Sequence, residues 1–333
     1  MVLVTGATGL VGSHLVLHLL EQNESVKAIY RNEETISKTK AVFSLYKKEI
    51  LFKKIEWIQA DITDVPTLEM AFQDVEFVYH CAAFISFDPK EENQLRKINI
   101  EGTANIVNFC IEYNIKKLCY VSSIAALGDL AINEITISET TEWNPEKAHS
   151  DYAISKYGAE IEVWRGQQEG LNVVIINPGV ILGPCLWETG SSEIFIKVKK
   201  GLLFYTKGLT GFIAVTDVVK LMFQLMKSNI TGERYIAIAE AMTFETVLKT
   251  IAKALQVKPP IFYAKPWLTE IAWRIDWVLA TFFIQKRKLS KSMAQSLHNT
   301  DVISNKKIRT TLDYKFLDID DCILEIGKSY FKN

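Results

Sequence analysis

The sequence predicts an α/β fold in which a doubly wound parallel sheet is covered by helices on both faces. Three observations indicate this fold. Short β-rich runs alternate with longer helical patterns through the first 240 of the 333 residues. Most of these runs are apolar without alternation, as strands buried on both faces should be. The first run, Val2–Thr5, passes directly into a glycine-rich turn and an apolar helical pattern.

The predicted elements follow in chain order. The strands are Val2–Thr5, Val26–Tyr30, Ile55–Gln59, Phe77–His80, Lys117–Val121, Val173–Ile176 and Tyr235–Ile238. After a first helix over His14–Leu20, the two longest helical patterns are Asn93–Tyr113 and Asp151–Gln168. We expect one domain over residues 1–240 and a smaller, mostly helical lobe over residues 241–333, with residues 185–209 contributing to the lobe side.

Composition excludes several classes of function. Lys and Arg number 38 and Asp and Glu 39, so a net charge of −1 leaves no basic excess to bind nucleic acid. The five cysteines are odd in number and widely spaced, which argues for a reducing compartment. The first residues lack a basic leader, and the longest uncharged stretch, 171–187, is interrupted by proline and glycine. We expect a cytoplasmic protein without a transmembrane segment that binds a small molecule.

A glycine-rich turn follows the first strand. Gly6, Gly9 and Gly12 have the spacing Gly-x-x-Gly-x-x-Gly between that strand and the first helix. Glycines there permit a tight turn, let the backbone approach a pyrophosphate and let the helix pack close to the sheet, with its N–H groups facing the anion. The complete strand, turn and helix context favours a dinucleotide site over a turn without a ligand.

This form of the turn, opening with Thr5-Gly6, resembles that of the extended short-chain dehydrogenase/reductase superfamily, the NAD-dependent epimerase/dehydratase family. The resemblance implies a Rossmann-type NAD(P)-binding domain over residues 1–240. Around the turn, it implies cofactor contacts from Thr5, Gly6, Thr8, Gly9, Leu10 and Gly12. After later strands, it implies further contacts from Asp61, Ile62, Ala82, Ala83 and Pro178.

The end of the second strand bears on the choice between NAD and NADP. The family usually carries an acid there that holds the adenosine ribose, whereas this chain has Tyr30-Arg31. Arg31 could receive a 2′-phosphate, which favours NADP. The alternatives are a solvated arginine that opens a charged loop, and NAD as the cofactor.

Two tyrosine–lysine pairs have the spacing that places both side chains on one face of a helix. Tyr113/Lys117 lies where a helix gives way to a strand, so it cannot project both side chains from a helix. Tyr152/Lys156 opens a long helix, and Ser123 follows the fifth strand at the edge where open α/β sheets bind ligands. This position favours Tyr152 and Lys156 as the functional pair.

The resemblance assigns roles to these residues. It implies that Ser123, rather than the neighbouring Ser122, hydrogen-bonds the reacting oxygen, that Tyr152 exchanges a proton with it, and that Lys156 holds the nicotinamide ribose. The lysine ammonium and a nicotinamide cation are expected to lower the tyrosine pKa from its usual value of about 10. Asn99 matches the Asn-x-x-Gly-Thr pattern of the family and is expected to shape its helix and hold a water near the lysine. A surface asparagine is the alternative.

One pair of histidines raises the question of a metal. His14 and His18 share a face of the first helix, but the sequence indicates no third ligand. We therefore expect packing histidines and no metal site.

The motifs also discriminate among the activities of the family. Sugar-nucleotide dehydratases carry Thr-Asp-Glu where this chain has Ser123-Ile124-Ala125, which disfavours dehydration. Residues 84–89 and 180–184 are closest to the dihydroflavonol-reductase and hydroxysteroid-dehydrogenase branch. We expect an NADP-linked oxidoreductase that transfers a hydride between nicotinamide and a carbonyl or secondary alcohol. The alternatives are a nucleotide-sugar epimerase with retained NAD and, less favoured, a non-catalytic redox-sensing regulator.

The C-terminal part bears on substrate and partners. Within Pro266–Ile284, five apolar residues recur at helical spacing: Trp267, Ile271, Ile275, Val278 and Phe282. The favoured interpretation is a lobe helix that buries this face. The alternatives are a wall of an apolar substrate pocket and a peripheral membrane contact. We expect an apolar or aromatic substrate and, by resemblance, a homodimer formed through Asn93–Tyr113 and Asp151–Gln168.

Overall fold

The computed structural model describes residues 1–187, 190–282, 287 and 289–331. The strands are β1 (Val2–Thr5), β2 (Val26–Tyr30), β3 (Glu56–Gln59), β4 (Phe77–His80), β5 (Lys117–Val121), β6 (Thr136–Ile137), β7 (Val173–Pro178), β8 (Val180–Leu182), β9 (Phe204–Tyr205), β10 (Leu209–Ala214), β11 (Glu233–Ala237), β12 (Glu240–Thr243), β13 (Phe262–Tyr263) and β14 (Val302–Ile303). The helices are α1 (Leu10–Glu21), α2 (Ile36–Leu45), α3 (Glu49–Phe52), α4 (Val65–Phe72), α5 (Glu92–Leu95), α6 (Gly102–Glu112), α7 (Asp151–Gln168), α8 (Glu193–Lys199), α9 (Val215–Lys227), α10 (Phe244–Ala254), α11 (Pro266–Phe282), α12 (Lys291–Ser296), α13 (Lys306–Leu312) and α14 (Ile319–Tyr330). A π-helical segment, Arg96–Glu101, joins α5 to α6.

Seven strands form one parallel sheet in the order β3-β2-β1-β4-β5-β7-β11. The direction of winding reverses between β1 and β4, so the loops that follow these two strands diverge and leave a crevice at the carboxyl edge. The predicted doubly wound parallel sheet is confirmed.

The strand register aligns the residues that lead into this crevice. Thr5, at the end of β1, lies opposite His80 at the end of β4, and His80 lies opposite Tyr120 in β5. The glycine turn, the alanine turn after β4 and Ser123 after β5 therefore leave the sheet at one level.

Each face of the sheet has its own hydrophobic core. On one face, α1 and α9 pack together and bury Leu15, Leu19 and Leu221 completely. On the other face, α6 and α7 pack side by side and bury Ile106 and Val163. The central strands β5 and β7 are buried along their whole length, which explains why their sequences do not alternate.

A third core lies in the C-terminal part of the chain. β8, β10 and β12 form a small sheet against which α8, α10 and α14 pack, burying Phe195, Phe212, Ile251 and Ile323. The domain boundary near residue 240 stays a prediction. Strands were not expected after that point, yet β12, β13 and β14 are present. They have four, two and two residues, too few to show a pattern in the sequence.

Most predicted boundaries agree with the structure. The bounds of β1, β2, β4, β5 and α7 are those expected. β3 begins one residue later, β7 continues to Pro178, and β11 covers Glu233–Ala237. The first helix begins at Leu10, directly after Gly9, and the helix expected over Asn93–Tyr113 is present as α5, the π-helical segment and α6.

The favoured prediction for the segment Pro266–Ile284 is wrong. Its last two residues lie outside the described residues, and α11 is described over Pro266–Phe282. The five apolar residues of its predicted inner face are between 41% and 74% exposed, because α11 contacts the rest of the protein through its other side. Within the described ranges, no helix is long and apolar enough to cross a membrane.

Candidate active site

The glycine turn between β1 and α1 is packed tightly against the loop after β4. Gly6 has a φ of +65°, and a Cβ there would lie 2.6 Å from the backbone nitrogen of Ala82. A side chain at Gly12 would collide with the carbonyl oxygen of Gly6. The backbone N–H of Gly9 donates to that carbonyl at 3.0 Å. The turn therefore requires glycine both for its positive φ and for its close approaches.

The N-terminus of α1 is open to an anion. Among the described residues, no side chain caps the helix at Gly9, and its first turn contains no acid. The unpaired N–H groups and the dipole of a helix N-terminus attract phosphate. Thr8 and Leu10 are half-buried on either side of the exposed Gly9. The cradle fits the pyrophosphate of a dinucleotide.

Buried polar contacts join the loop after β4 to this turn. The Thr5 hydroxyl lies 2.7 Å from His80 Nδ1 and accepts a hydrogen bond from the Ala82 N–H at 3.1 Å. His80 Nε2 lies 3.0 Å from the Thr103 hydroxyl on α6. Burial lowers the pKa of His80 to about 3, so the neutral ring can donate at one nitrogen and accept at the other. Ala82 is half-buried and Ala83 is exposed at the crevice.

Arg31 and Asp61 lie together beyond the ends of β2 and β3. Arg31 Nη1 is 3.9 Å from Asp61 Oδ2, and the Arg31 side chain is 61% exposed. The other carboxylate oxygen of Asp61 accepts hydrogen bonds from the N–H and the hydroxyl of Thr63, both at 2.9 Å. The adjacent Ile62 is buried against Gly102. The structure thus brings together the basic and the acidic residue expected at the adenosine end of the cofactor.

Ser123 and Tyr152 meet at the carboxyl edge of β5. Tyr152 is the second residue of α7, whose start is fixed by the Ser150 hydroxyl accepting from the Ala153 N–H at 3.1 Å. Burial raises the pKa of Tyr152 to about 12, and a hydrogen bond with the Ser123 side chain acts against that rise. In the protein alone, burial outweighs that hydrogen bond. The lowering of this pKa by a bound nicotinamide cation stays a prediction.

Lys156 is buried one helical turn after Tyr152. Its ammonium donates to the Val121 carbonyl at 2.9 Å and to the Tyr120 hydroxyl at 3.3 Å. Burial lowers the pKa of Lys156 to about 8, while the charge of Glu160 acts in the opposite direction. An ammonium has three N–H donors, so these two bonds leave one for a ligand or for Tyr152.

Sequence reasoning missed Glu160, which lies one further turn along α7 and is 1% exposed. Its carboxylate accepts a hydrogen bond from Asn177 at 2.5 Å and pairs with Arg234 at 3.2 Å. Asn177 also donates to the Ser123 carbonyl at 3.0 Å. Only its i, i+4 spacing from Lys156 marked Glu160 in the sequence, and that spacing also fits a surface glutamate. These contacts link β7 and β11 to α7.

Asn99 lies in the π-helical segment and is buried, which excludes a surface asparagine. Its side-chain oxygen accepts from the Phe84 N–H at 2.7 Å, and its amide nitrogen donates to the Phe84 carbonyl and to the Ser155 hydroxyl, both at 2.9 Å. Asn99 therefore clamps the loop after β4 to α7. In the described structure its side chain shapes the site rather than pointing into the crevice.

The packing of four further residues named in the sequence analysis can also be described. Pro178, the last residue of β7, is buried beside Asn177. Lys117 opens β5 and donates to the Leu225 carbonyl at 2.6 Å, so it stabilises the end of α9 and forms no site with a tyrosine. His14 and His18 contact two different aromatic rings.

Comparisons with known proteins agree with this geometry. The model of the NAD dependent epimerase/dehydratase family matches residues 2–238. A putative dihydroflavonol 4-reductase of Synechocystis sp. is 30% identical and is matched over 83% of this chain and 79% of its own length. Sterol demethylase protein B of Methylococcus capsulatus is 28% identical over 74% of this chain and 72% of its own. The crystal structure of yeast methylglyoxal/isovaleraldehyde reductase Gre2, complexed with NADPH, has the same fold, with a TM-score of 0.75, 21% identity and coverage of 99% of this chain and 98% of the other.

Proposed function

The chain belongs to the NAD-dependent epimerase/dehydratase family, and from that premise we propose that it is an NADP-linked alcohol dehydrogenase or carbonyl reductase acting on an apolar or aromatic small molecule. The observation that carries the proposal is the meeting of Tyr152 with Ser123 beside the buried Lys156. The three residues lie at the sheet edge onto which the glycine turn opens. They supply the acid, the hydrogen-bond donor and the cation that carbonyl reduction needs.

The residues around the crevice fit a nicotinamide dinucleotide. The glycine turn and the N-terminus of α1 would hold its pyrophosphate, Arg31 and Asp61 its adenosine end, and Lys156 its nicotinamide ribose. When bound, the nicotinamide supplies or accepts the hydride at the carbon that bears the reacting oxygen.

The side chains of this protein transfer the proton to and from the reacting oxygen. With a pKa of about 12, Tyr152 is protonated at neutral pH and can donate its proton to a carbonyl oxygen. Ser123 donates a hydrogen bond to the same oxygen, and the ammonium of Lys156 stabilises the phenolate that remains. In oxidation the phenolate takes the proton back. A tyrosine that is protonated in the free protein favours reduction at neutral pH.

The residue at the end of β2 supports NADP over NAD. Arg31 is exposed at the end of β2, where the family usually has an acid for the ribose, and its guanidinium can form paired hydrogen bonds with a phosphate. Proteins of similar fold bind either cofactor, since Gre2 was crystallised with NADPH and the Thermus thermophilus UDP-glucose 4-epimerase with NAD, so the choice rests on Arg31.

The relatives support the substrate class. The two similar proteins are named for a dihydroflavonol and a sterol, which are aromatic and apolar molecules. A panel that contains aromatic ketones, alicyclic ketones and UDP- and GDP-sugars tests this choice by NADPH oxidation and thermal shift, with Tyr152→Phe as the catalytic control. Turnover of the ketones alone is expected. Stabilisation by the nucleotide-sugars alone would instead favour the epimerase.

We also propose a homodimer formed through the outer faces of α6 and α7, which pack side by side. Ile161 on α7 is 49% exposed and suits a two-fold contact. Sedimentation velocity is expected to show a dimer for the parent chain and a monomer for Ile161→Lys. A parent chain that is monomeric at micromolar concentration would contradict this assembly.

A further inference from the structure

The helix α11 turns its apolar side away from the rest of the protein. This outer face carries Trp267, Ile271, Ile275, Val278 and Phe282, whose spacings of three and four residues put them on one side of the helix. They are 58%, 48%, 54%, 41% and 74% exposed. A contiguous apolar patch of this kind marks a contact site.

The opposite side of α11 holds the helix through polar contacts. The Thr269 hydroxyl lies 2.8 Å from His298 Nε2, and Asp276 accepts a hydrogen bond from the Leu289 N–H at 3.0 Å. Ala280 on the same side is buried. The orientation of the helix is therefore fixed by its mixed side, and its most apolar side is the one left exposed.

The chain before α11 extends this apolar surface. β9 pairs with β13, and the rings of Phe204 and Phe262 lie 5.7 Å apart while each residue remains 51% exposed. The neighbouring Leu203 and Ile261 are 56% and 66% exposed. Because β13 runs directly into α11, the exposed apolar residues continue along the chain from one element to the other. We call these residues and the outer face of α11 the apolar surface.

The segment that carries most of the apolar surface is basic. Residues 258–291 contain seven Lys and Arg and two acidic residues, a net charge of +5, whereas the whole chain has a net charge of −1. The rest of the chain therefore carries −6. Both acids of the segment are engaged, since Glu270 pairs with Arg274 at 2.6 Å and Asp276 binds the Leu289 N–H. The combination of exposed apolar side chains and excess positive charge is complementary to an anionic lipid surface.

We infer that the apolar surface is a peripheral contact site for anionic phospholipid, with α11 lying in the headgroup region. Its aromatic and aliphatic side chains enter the boundary of the acyl chains, and the exposed Lys258, Lys265 and Lys291 of the same segment meet the lipid phosphates. The described part of α11 has 17 residues and includes three charged groups, and we infer that it lies along the surface. A second copy of the chain is a poorer occupant, because two-fold pairing through α11 would bring two segments of charge +5 together. The inference does not rest on the proposed function.

Flotation with vesicles tests the apolar part of the contact. We expect the parent protein to bind vesicles of phosphatidylcholine mixed with phosphatidylglycerol, and to bind phosphatidylcholine alone much more weakly. Ile275→Gln/Val278→Gln is expected to lower the partition coefficient at least ~10-fold. The control variant Ile50→Gln/Met70→Gln alters residues that are 80% and 61% exposed outside the apolar surface, and it is expected to bind like the parent.

A second set of variants tests the charges. Lys258, Lys265 and Lys291 are exposed, and changing all three to Gln is expected to weaken binding to the anionic vesicles at least ~10-fold. Binding of the parent should also weaken as salt is added. The matched control changes three exposed lysines near α2 and α3, Lys40, Lys53 and Lys54, to Gln and should leave binding unchanged.

Tryptophan fluorescence gives a readout on the unmodified chain. Trp267 lies on the apolar surface and is 58% exposed, so lipids with brominated acyl chains should quench its fluorescence, and Trp267→Phe should lose that part of the quenching. The inference would be overturned if the parent protein did not bind anionic vesicles. It would also be overturned if Ile275→Gln/Val278→Gln or the triple lysine variant bound them as well as the parent does. If the parent were a dimer that did not bind vesicles, and if Ile275→Gln/Val278→Gln were monomeric, the apolar surface would instead be the contact with a second copy of the chain.

Discussion

The carboxylate of Glu160 lies 3.2 Å from the guanidinium of Arg234. Glu160 is on α7, one helical turn beyond Lys156. Arg234 also donates to the Glu139 carbonyl at 2.8 Å, so the pair ties β11 both to α7 and to the loop that precedes α7. Glu160 is 1% exposed, and its charge raises the pKa of Lys156 against the effect of burial. The buried acid therefore helps to keep the lysine charged at the pH where the site works.

Replacing Glu160 should change the pH dependence of catalysis. In Glu160→Gln the charge that supports the Lys156 ammonium is lost, so the lysine pKa falls below about 8. Activity that needs the ammonium disappears as pH rises through that pKa, and the alkaline limb of kcat against pH should move to lower pH by roughly 0.5–1 unit.

Glu162→Gln is the matched control for this change, because Glu162 is on the same helix but pairs with Arg165 near the surface. It should leave the pH profile in place. Glu160→Gln should also lower the free energy of unfolding by about 2 kcal/mol, because Arg234 loses its carboxylate partner but keeps its carbonyl contact. An unchanged alkaline limb in a folded Glu160→Gln protein would show that Glu160 has no effect on the lysine.

Removing one hydroxyl should separate chemistry from binding. Tyr152→Phe keeps the ring that contacts Phe87 but loses the proton donor, so turnover should fall at least ~10²-fold while cofactor binding stays within a few-fold. Tyr157 lies farther along α7, and its ring stacks on Trp143, which precedes the helix. Tyr157→Phe should therefore retain normal turnover. Initial rates with a carbonyl substrate and fluorescence titration with NADPH measure the two effects. Near-normal turnover by Tyr152→Phe would refute its role as the acid.

Acid should weaken the fold through two buried histidines. Burial lowers the pKa of His14 to about 4 and that of His80 to about 3, whereas the unfolded chain titrates at 6.5. Between pH 6.5 and about 4 the unfolded chain binds more protons, so the free energy of unfolding decreases as pH falls through this window. At pH 5.5 the loss is about 1.4 kcal/mol for each histidine.

Urea unfolding at pH 7.5 and pH 5.5 measures this loss. His14→Leu removes one of the two titrating rings, so its loss between the two pH values should be about 1.4 kcal/mol smaller than that of the parent. Both proteins are also compared at pH 8, where the imidazole is neutral in both states, to separate the packing effect of the substitution. Equal losses in parent and variant would show that His14 does not titrate on unfolding.

The sequence predicted the sheet because its central strands are buried runs of apolar residues between clear turns. β5 and β7 have no polar face, so the pattern that marks them is local and needs no partner to be recognised. β8 and β10 depend instead on Gly179 and Gly211, where a side chain at Gly179 would collide with the backbone of Gly211. That requirement arises between distant parts of the chain and leaves no local signal.

The candidate site shows the same division. Glycine spacing and the Tyr-x-x-x-Lys pattern marked the turn and α7, because each pattern lies within a short stretch of the chain. Glu160 and Arg234 are 74 residues apart in the chain, and neither has neighbours that distinguish a buried ion pair from two surface charges. The exposed face of α11 was misjudged for the same reason, since periodicity marks an apolar face but not what lies against it.

Cofactor preference should depend on the guanidinium of Arg31. Fluorescence titration is expected to show NADPH binding several-fold tighter than NADH, because paired hydrogen bonds join the guanidinium to the 2′-phosphate. In Arg31→Ala the affinity for NADPH should fall about 10-fold while the affinity for NADH hardly changes, a loss of about 1.4 kcal/mol that belongs to the phosphate alone. Lys53→Ala, which removes an exposed cation after α3, should change neither affinity.

The carboxylate beside Arg31 sharpens this prediction. Asp61 Oδ2 lies 3.9 Å from the guanidinium, close enough for its negative charge to oppose a phosphate bound there. Asp61→Asn keeps the size of the side chain and removes that charge. Its preference for NADPH over NADH should therefore be larger than that of the parent, whereas the preference of Arg31→Ala should be smaller. Opposite shifts of the NADPH preference in Arg31→Ala and Asp61→Asn would indicate that the 2′-phosphate lies next to both side chains. Equal affinities for NADPH and NADH in the parent protein would instead mean that Arg31 is a solvated surface residue that does not bind the 2′-phosphate.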